Sequence, residues 1–509
     1  GTNINERGYD YISGKISSVD VDGYYNFSNS LTDAVAEQFQ RKRRLIGVFA
    51  SADISYKNYA FISLTARNDW SSTLPLDNNS FFYPGATASF VITDFLAEQS
   101  IESGILSFAK IRAAYGWTGN DADPYQIYPV FESAFSNNPG YPEIDDLKFP
   151  LNNVNSYTVS NQLGNNELKP EITKEVELGI DVRFFNNRLG FDVALYDKTT
   201  HGLITTLPID PSSGYTFQLT NLGDVNNKGI EFMTNIIPVK TKNFEWNINY
   251  NFSKNVNKVV ELAEGEITID GFGNAVIIAK KGEEVGLFKT YVPRTVEIDG
   301  VERVIVDGNG NVMQSADMQV TDRSVNEDFA MGLSNSFTWK GLSLSATLDF
   351  HYGGYIYSYT KDYMHWTGSA FESTMNNRNP FVVPNSVVEN ADGTYSENTT
   401  PVTQNTQHTF YGDYGAFESD LYSVIDRSYL KLRDVGLSYQ IPNSVTNKIN
   451  INDLKISFVA GNILLWTPAD NCYIDPETTT FGNDLGARFG EFGTNPSNQT
   501  YLMSLSFKF

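Results

Sequence analysis

Hydrophobic and polar residues alternate with a period of two along most of the chain. In 174–184, Val176, Leu178, Ile180, Val182 and Phe184 take one face, and Glu175, Glu177, Gly179, Asp181 and Arg183 take the other. Asn186-Asn187-Arg188 then reads as a short turn. Beyond it Leu189, Phe191, Val193 and Leu195 alternate with Gly190, Asp192, Ala194 and Tyr196. Alternation on both sides of a turn predicts a β-hairpin with one apolar and one polar face.

The same unit recurs. Segments 46–56 and 59–68 pair about Lys57-Asn58, and 82–92 and 107–117 pair across a longer link. Further pairs are 230–236 with 244–252, 331–339 with 342–352 about Lys340-Gly341, and 428–441 with 454–462. A last strand, 501–509, stands alone. One segment slips phase: Leu430 and Leu432 share a face, but Val435, Leu437, Tyr439 and Ile441 lie on the other. One extra residue near Arg433-Asp434, a β-bulge, accounts for the slip. Six hairpins and the last strand make thirteen strands.

The connections are unequal. Links inside the hairpins are mostly two to four residues, whereas 119–172, 200–226, 256–328, 353–426 and 465–499 are long and rich in Asn, Asp, Gly, Pro, Ser and Tyr. Loops beyond about 12–15 residues are uncommon in compact domains unless they are functional. Short turns on one side and long loops on the other predict an all-β fold, a transmembrane antiparallel β-barrel with short periplasmic turns and long extracellular loops. In hydrocarbon every backbone donor needs a partner, so a spanning sheet must close on itself. Tandem soluble sandwiches also alternate. The one-sided loops and the aromatic C-terminal strand favour the barrel.

Composition narrows the function. Lys and Arg number 37 against 60 Asp and Glu, a formal charge of −23, which argues against a nucleic-acid partner. A single cysteine, Cys472, leaves no disulfide framework. No apolar run approaches the ~18–20 residues of a transmembrane helix, and Gly1-Thr2-Asn3-Ile4 does not open a leader of basic then apolar residues.

No catalytic constellation is visible. His201, His351, His365 and His408 lack H-E-x-x-H spacing, and no nucleophile elbow or phosphate loop occurs. No enzyme activity, cofactor or metal is expected. Asp307-Gly308-Asn309-Gly310-Asn311 begins like a calcium loop, but Val312 and Met318 stand where glycine and the bidentate glutamate belong, so a β-turn is expected. Asp470, Asp475 and Glu477 crowd one loop, read as solvated or partner-facing rather than as a cation site. Aromatics in and beside the long loops include Trp117, Tyr125, Tyr128, Tyr355, Tyr357, Tyr359, Tyr363 and Trp366, with Asn120, Asp121 and Asp123 among their polar neighbours. Trp117, Asn120, Asp121, Tyr355 and Trp366 are the candidate substrate-binding residues. Acidic positions of the polar face, Glu175, Glu177, Asp181, Asp192 and Asp349, are expected to disfavour polyanionic cargo.

Ordered segments carry a family resemblance. They are Arg67-Asn68-Asp69-Trp70-Ser71-Ser72, Phe81-Phe82-Tyr83-Pro84, Lys110-Ile111-Arg112 through Gly119-Asn120, and Asn166-Glu167-Leu168-Lys169-Pro170-Glu171. They continue with Asn221-Leu222-Gly223-Asp224 through Glu231, Arg427-Ser428-Tyr429-Leu430-Lys431-Leu432-Arg433-Asp434-Val435, Val459-Ala460-Gly461-Asn462-Ile463-Leu464, Asp475-Pro476-Glu477 and Phe507-Lys508-Phe509. In this order they resemble the C-terminal barrel portion of SusC/RagA-type TonB-dependent outer-membrane transporters.

The resemblance implies about the last thirteen strands of a 22-stranded, plugged barrel. Residues 1–42 then form an extracellular loop segment and 43–509 the C-terminal part of the barrel. On that reading the plug and the N-terminal strands are expected to lie outside this chain. It further implies the outer membrane of a Gram-negative bacterium of Bacteroidetes type, uptake of oligosaccharides or peptides, a SusD-like surface lipoprotein as lid, and TonB acting through a plug. In the last strand Tyr501, Met503, Leu505, Phe507 and Phe509 match the pattern read by the barrel-assembly machinery, and outer-membrane lipid covers the apolar face. Two other readings stand beside it: a non-transporting barrel scaffold that presents its loops to a surface partner, and a soluble glycan-binding β-protein.

Overall fold

The computed structural model describes residues 1–101, 104–133, 154, 156–263, 265–403, 420–446, 451–480, 482 and 485–508. Fourteen long strands follow one another in a single sheet order that is also chain order. They are β1 (Thr2–Lys15), β2 (Val35–Tyr56), β3 (Ala60–Ser71), β4 (Ser80–Val91), β5 (Leu106–Asn120), β6 (Glu171–Phe184) and β7 (Leu189–His201), followed by β8 (Gly223–Lys240), β9 (Phe244–Leu262), β10 (Phe329–Trp339), β11 (Leu342–Tyr352), β12 (Tyr429–Gln440), β13 (Asn452–Trp466) and β14 (Thr500–Lys508). Among the described residues no helix is long and apolar enough to cross a membrane.

All thirteen expected strands are present, most of them longer than the alternation alone marked. A fourteenth was not marked by the alternation. Thr2–Lys15, within the segment expected as an extracellular loop, pairs with β2 without interruption from Thr2↔Val48 to Lys15↔Val35. Its polar residues occupy both faces, so it carries no period-two signal. The β10–β11 turn has Lys340 at φ 46° and Gly341 at φ 88°, the positive pair that matches the twist of the flanking strands. The expected bulge also appears. β12 pairs Leu432 with Leu348 and Asp434 with Thr347, leaving Arg433 as the extra residue. The same skip recurs against β13.

The chain divides into two compact units. The first comprises Gly1–Ser89, Ala113–Val176 and Lys198–Val225. Its core gathers Leu74, Phe81, Ala122, Leu168 and Leu219. The second comprises Phe90–Arg112, Glu177–Asp197 and Asn226–Phe509. Here the long links between strands are not open loops. Glu266–Phe272, Ala275–Lys280, Leu287–Thr290 and Gln319–Ser324 form a four-stranded sheet, and Tyr355–Ser358 pairs with Val424–Asp426 and Gly490–Glu491 in a three-stranded one. Ala275, Ile277, Phe288, Val325, Tyr357, Val424 and Phe489 close a hydrophobic core between them.

The long strands of the second unit lack such a cover on one face. Leu178, Leu195, Leu344, Leu437 and Tyr439 are all exposed. Of these, Leu178, Leu195, Leu437 and Tyr439 are positions whose face the alternation marks as apolar.

Candidate functional site

The other face of these strands is polar, and its side chains bond one another. In the second unit Arg112 holds Asp192 through both terminal nitrogens, at 3.0 and 2.8 Å, and reaches Glu177 at 3.4 Å. Arg183 bonds Asp181 at 3.1 and 2.8 Å. Asn235 donates to Asn247 and Asn249 at 2.8 and 2.7 Å, and the Ser334 and Thr347 hydroxyls lie 3.2 Å apart. A cavity of about 820 Å³ lies against this face, with Asp181, Asp192, Asn235, Asn249, Asp349 and Arg433 among its lining. Of the acids expected on this face, Glu177, Asp181, Asp192 and Asp349 each bond an arginine, with Glu177 and Asp192 sharing Arg112, so part of the expected negative charge is offset within the wall.

The bulge in β12 builds the densest part of the site. It lets Lys431, Arg433 and Asp434 share the polar face with Tyr429. Two of the resemblance segments meet here. Lys431 donates to both oxygens of Asp475, at 2.6 and 2.7 Å, with both side chains buried, and it also bonds Glu477. Arg433 bonds Glu477 and Asp349, the latter from Nε at 2.9 Å. The Tyr429 hydroxyl donates to Glu477 at 2.9 Å, and Arg427 Nε donates to the Pro476 carbonyl at 2.9 Å. Burial works against the charge on Glu477, but hydrogen bonds from Arg433 and Lys431 win and hold its carboxyl at about 2.

The reading of Asp475 and Glu477 as solvated or partner-facing is thus overturned, because their partners are cations of the chain's own wall. Asp470 accepts from the Asp426 amide at 3.1 Å. Among the described residues no group of three His, Cys, Asp or Glu is placed to hold a metal. Asp307 accepts from the amides of Asn309 and Asn311 at 2.8 and 2.9 Å, as a turn.

Farther along the same connection sits a residue that the sequence did not signal. Glu491 is fully buried and accepts from Ser358 Oγ at 2.7 Å and from the Thr360 amide and hydroxyl, both at 2.9 Å. Segment 467–499 therefore grips the strand wall at one end and the loop-built core at the other.

The candidate binding residues fall into two groups. Trp117, Asn120 and Asp121 lie in the first unit. Trp117 donates to the Tyr115 hydroxyl at 2.8 Å and lies under the Lys174 ammonium, 4.7 Å from its ring centre. Asn120 is exposed and donates to Glu171 at 3.0 Å. Asp121 is buried. It accepts from Thr73 Oγ1 at 2.8 Å, from Arg43 Nε at 2.9 Å and from Ser71. Burial opposes its charge, yet these donors keep its carboxyl below the ordinary range. With both oxygens engaged it acts as a support for this rim rather than as a free acceptor.

Tyr355 and Trp366 lie in the second unit. Tyr355 packs on the loop-built core with Arg323 5.3 Å above its ring. Trp366 is about half exposed and stacks on Tyr363 at 5.5 Å. Tyr357, grouped with the exposed aromatics, is a core residue at 1 % exposure. In β14, Tyr501, Met503, Leu505 and Phe507 are exposed, while Phe509 lies outside the described residues.

Comparison with known proteins fits this geometry. The family described as "TonB dependent receptor-like, beta-barrel" matches residues 2–277. TonB-dependent receptor P3 of Formosa agariphila is 26% identical over 96% of this chain and 48% of its own length. TonB-dependent receptor SusC of Bacteroides thetaiotaomicron is 26% identical over 63% of this chain and 32% of its own length. Among solved structures, the RagAB peptide importer in its "closed-closed" state superposes with a TM-score of 0.73 at 21% identity, covering 99% of this chain and 52% of that one. The chain spans about half the length, or less, of the curated relatives it matches.

Proposed function

The chain belongs to the TonB-dependent receptor-like β-barrel family, outer-membrane proteins here of the SusC/RagA type, and on that premise we propose that it forms part of the wall of a nutrient importer in the outer membrane of a Bacteroidetes-type bacterium. One observation carries the reading: the same strands expose an apolar face and line a cavity with a bonded, polar one. Lipid covers the first face and the second borders the cargo path. Among the described residues each end strand has one neighbour in the sheet order. Strands beyond these residues pair with both edges, since a spanning sheet must close.

The short turns face the periplasm and the loop-built sheets of the second unit face outward. The cargo is an oligosaccharide, with a peptide as the alternative. A wall of amides, hydroxyls and neutralised ion pairs suits a neutral cargo rich in hydrogen-bonding groups. Trp117, Asn120 and Trp366 are the residues assigned to meet it. A SusD-like surface lipoprotein closes the mouth, TonB acts through a plug outside these residues, and the barrel-assembly machinery reads β14. No covalent chemistry is assigned to the chain.

The test is uptake of labelled oligosaccharides and peptides by cells carrying an in-frame deletion of the gene. Import is expected to fall to background and to return with the intact gene. Unchanged uptake of every cargo, with the protein folded in the outer membrane, would leave the scaffold reading. The separate core of the loop-built sheets is what favours that second reading.

A further inference from the structure

The second unit carries a cluster of positive charge that nothing above uses. Three consecutive hairpins, β6–β7, β8–β9 and β10–β11, turn on the short-turn rim. Their turns and strand ends hold Arg188, Lys240, Lys242 and Lys340, all exposed. The hairpins adjoin there: the Ile237 amide donates to the Arg188 carbonyl at 2.7 Å, Arg188 Nη2 to the Lys240 carbonyl at 3.4 Å, and the Lys340 amide to the Asn243 carbonyl at 3.0 Å. Of the acids beside them, Glu245 is bonded to Lys240 at 2.9 Å and Asp181 to Arg183 at 2.8 Å. Arg188, Lys242 and Lys340 remain as a basic patch on a chain of net charge −23.

The patch continues directly into the apolar face. Phe185 and Trp339 are about half exposed at the same turns, and Lys340 Nζ lies 5.7 Å from the centre of the Trp339 ring. Leu342 and Tyr439, opposed in register, are exposed on the same side, with Leu344 and Leu437 two residues farther along. Aromatic rings of this kind sit at headgroup depth, and long cationic side chains extend their charge from apolar surface towards the polar boundary. A soluble anion would match the charge but not the adjoining apolar band.

We propose that this rim binds the phosphate of anionic phospholipid headgroups at the turn-side membrane interface. The inference rests on the membrane placement of the wall and is independent of transport. Each cation near such a surface adds attraction that falls away with salt.

The experiment uses the protein purified from outer membranes, with native mass spectrometry counting bound lipid from an equal mixture of phosphatidylglycerol and phosphatidylcholine. Replacing three cations in R188Q/K242Q/K340Q is expected to cut the preference for phosphatidylglycerol roughly tenfold or more. The charge-keeping R188K/K242R/K340R and the distant K254Q/K258Q are expected to keep it. Heat-modifiable migration on gels checks that each variant is folded. An unchanged preference in the folded glutamine variant overturns the headgroup assignment. So does rim binding of inorganic phosphate without any lipid preference, or displacement of the lipid by a soluble acidic protein. A wild-type protein found outside the outer membrane would instead overturn the placement on which the inference rests.

Discussion

Within the second unit, the strand wall and the loop-built sheets solve the burial problem in opposite ways. The wall turns Leu344 and Leu437 outward, 43% and 46% exposed, while the loop sheets bury Phe288, Ile277 and Val325 completely. Both are β-structure, largely antiparallel, with Tyr355–Ser358 running parallel to Gly490–Glu491 in the loop sheets. The wall is held by its backbone ladder and by ion pairs on its polar face, and its apolar face waits for lipid. The loop sheets are held by a core that excludes water by itself, at about 25 cal/mol for each Å² of apolar surface removed. One chain therefore carries two stabilities that separate perturbations can reach.

The sharpest way to separate them is Phe288→Ala. It removes the ring that packs on Phe489 at 5.7 Å, and the cavity left behind costs about 3–5 kcal/mol. We expect limited proteolysis to open 266–324 and 355–402 while the wall keeps its heat-modifiable migration. Leu344→Ala, on the lipid side, is expected to leave the protease pattern unchanged. Loss of the wall in the Phe288 variant would mean that the two regions fold as one.

Lys431→Ala attacks the joint between them. It leaves Asp475 buried without its cation, and breaking a buried pair from one side costs roughly 3–5 kcal/mol. The paired change K431M/D475L removes both charges and is expected to recover most of that loss in denaturant melts. A double variant no more stable than the single one would show that the pair is not the joint.

Leu437→Arg tests the wall's outer face. An arginine facing hydrocarbon costs up to about 2–4 kcal/mol at the bilayer centre. We expect slower insertion and a lower yield of folded protein in membranes. Ser438→Arg, one residue along and so on the polar face, is expected to insert normally. Equal effects would deny that the wall has a lipid side.

How much of this was readable follows the same division. Where one face meets lipid, period-two alternation is forced on the sequence, so segments such as 174–184 and 244–252 announce themselves. β1 does not, because Asn3, Asn5 and Arg7 oppose Thr2, Glu6 and Gly8 with only Ile4 apolar between them. The loop sheets use strands of four residues, Leu287–Thr290 and Tyr355–Ser358, too short to show a period. Tyr357 consequently read as a surface aromatic. The site was half legible: the bulge at Arg433 left a phase slip, but the pairing of Lys431 with Asp475 joins residues 44 positions apart and leaves no local trace. Glu491, buried by contacts with Ser358 and Thr360, leaves none either.

The smallest effect expected is a pH dependence confined to that joint. Glu477 has its carboxyl held at about 2 by Arg433 and Lys431, below its value of roughly 4.3 in the unfolded chain. A carboxyl lowered on folding adds stability that is fully present above its unfolded value and fades as the pH falls towards the folded one. Between about pH 4.5 and 2 the grip of 467–499 on the wall should therefore weaken first, seen as rising amide exchange at 475–478 while β10–β11 stays protected. Glu477→Gln is expected to flatten that dependence and to leave the neutral-pH exchange of β10–β11 unchanged. If the variant and the parent lose protection at 475–478 along the same pH curve, another group sets the acid response, and Glu477 is a bonded neighbour of the joint rather than its latch.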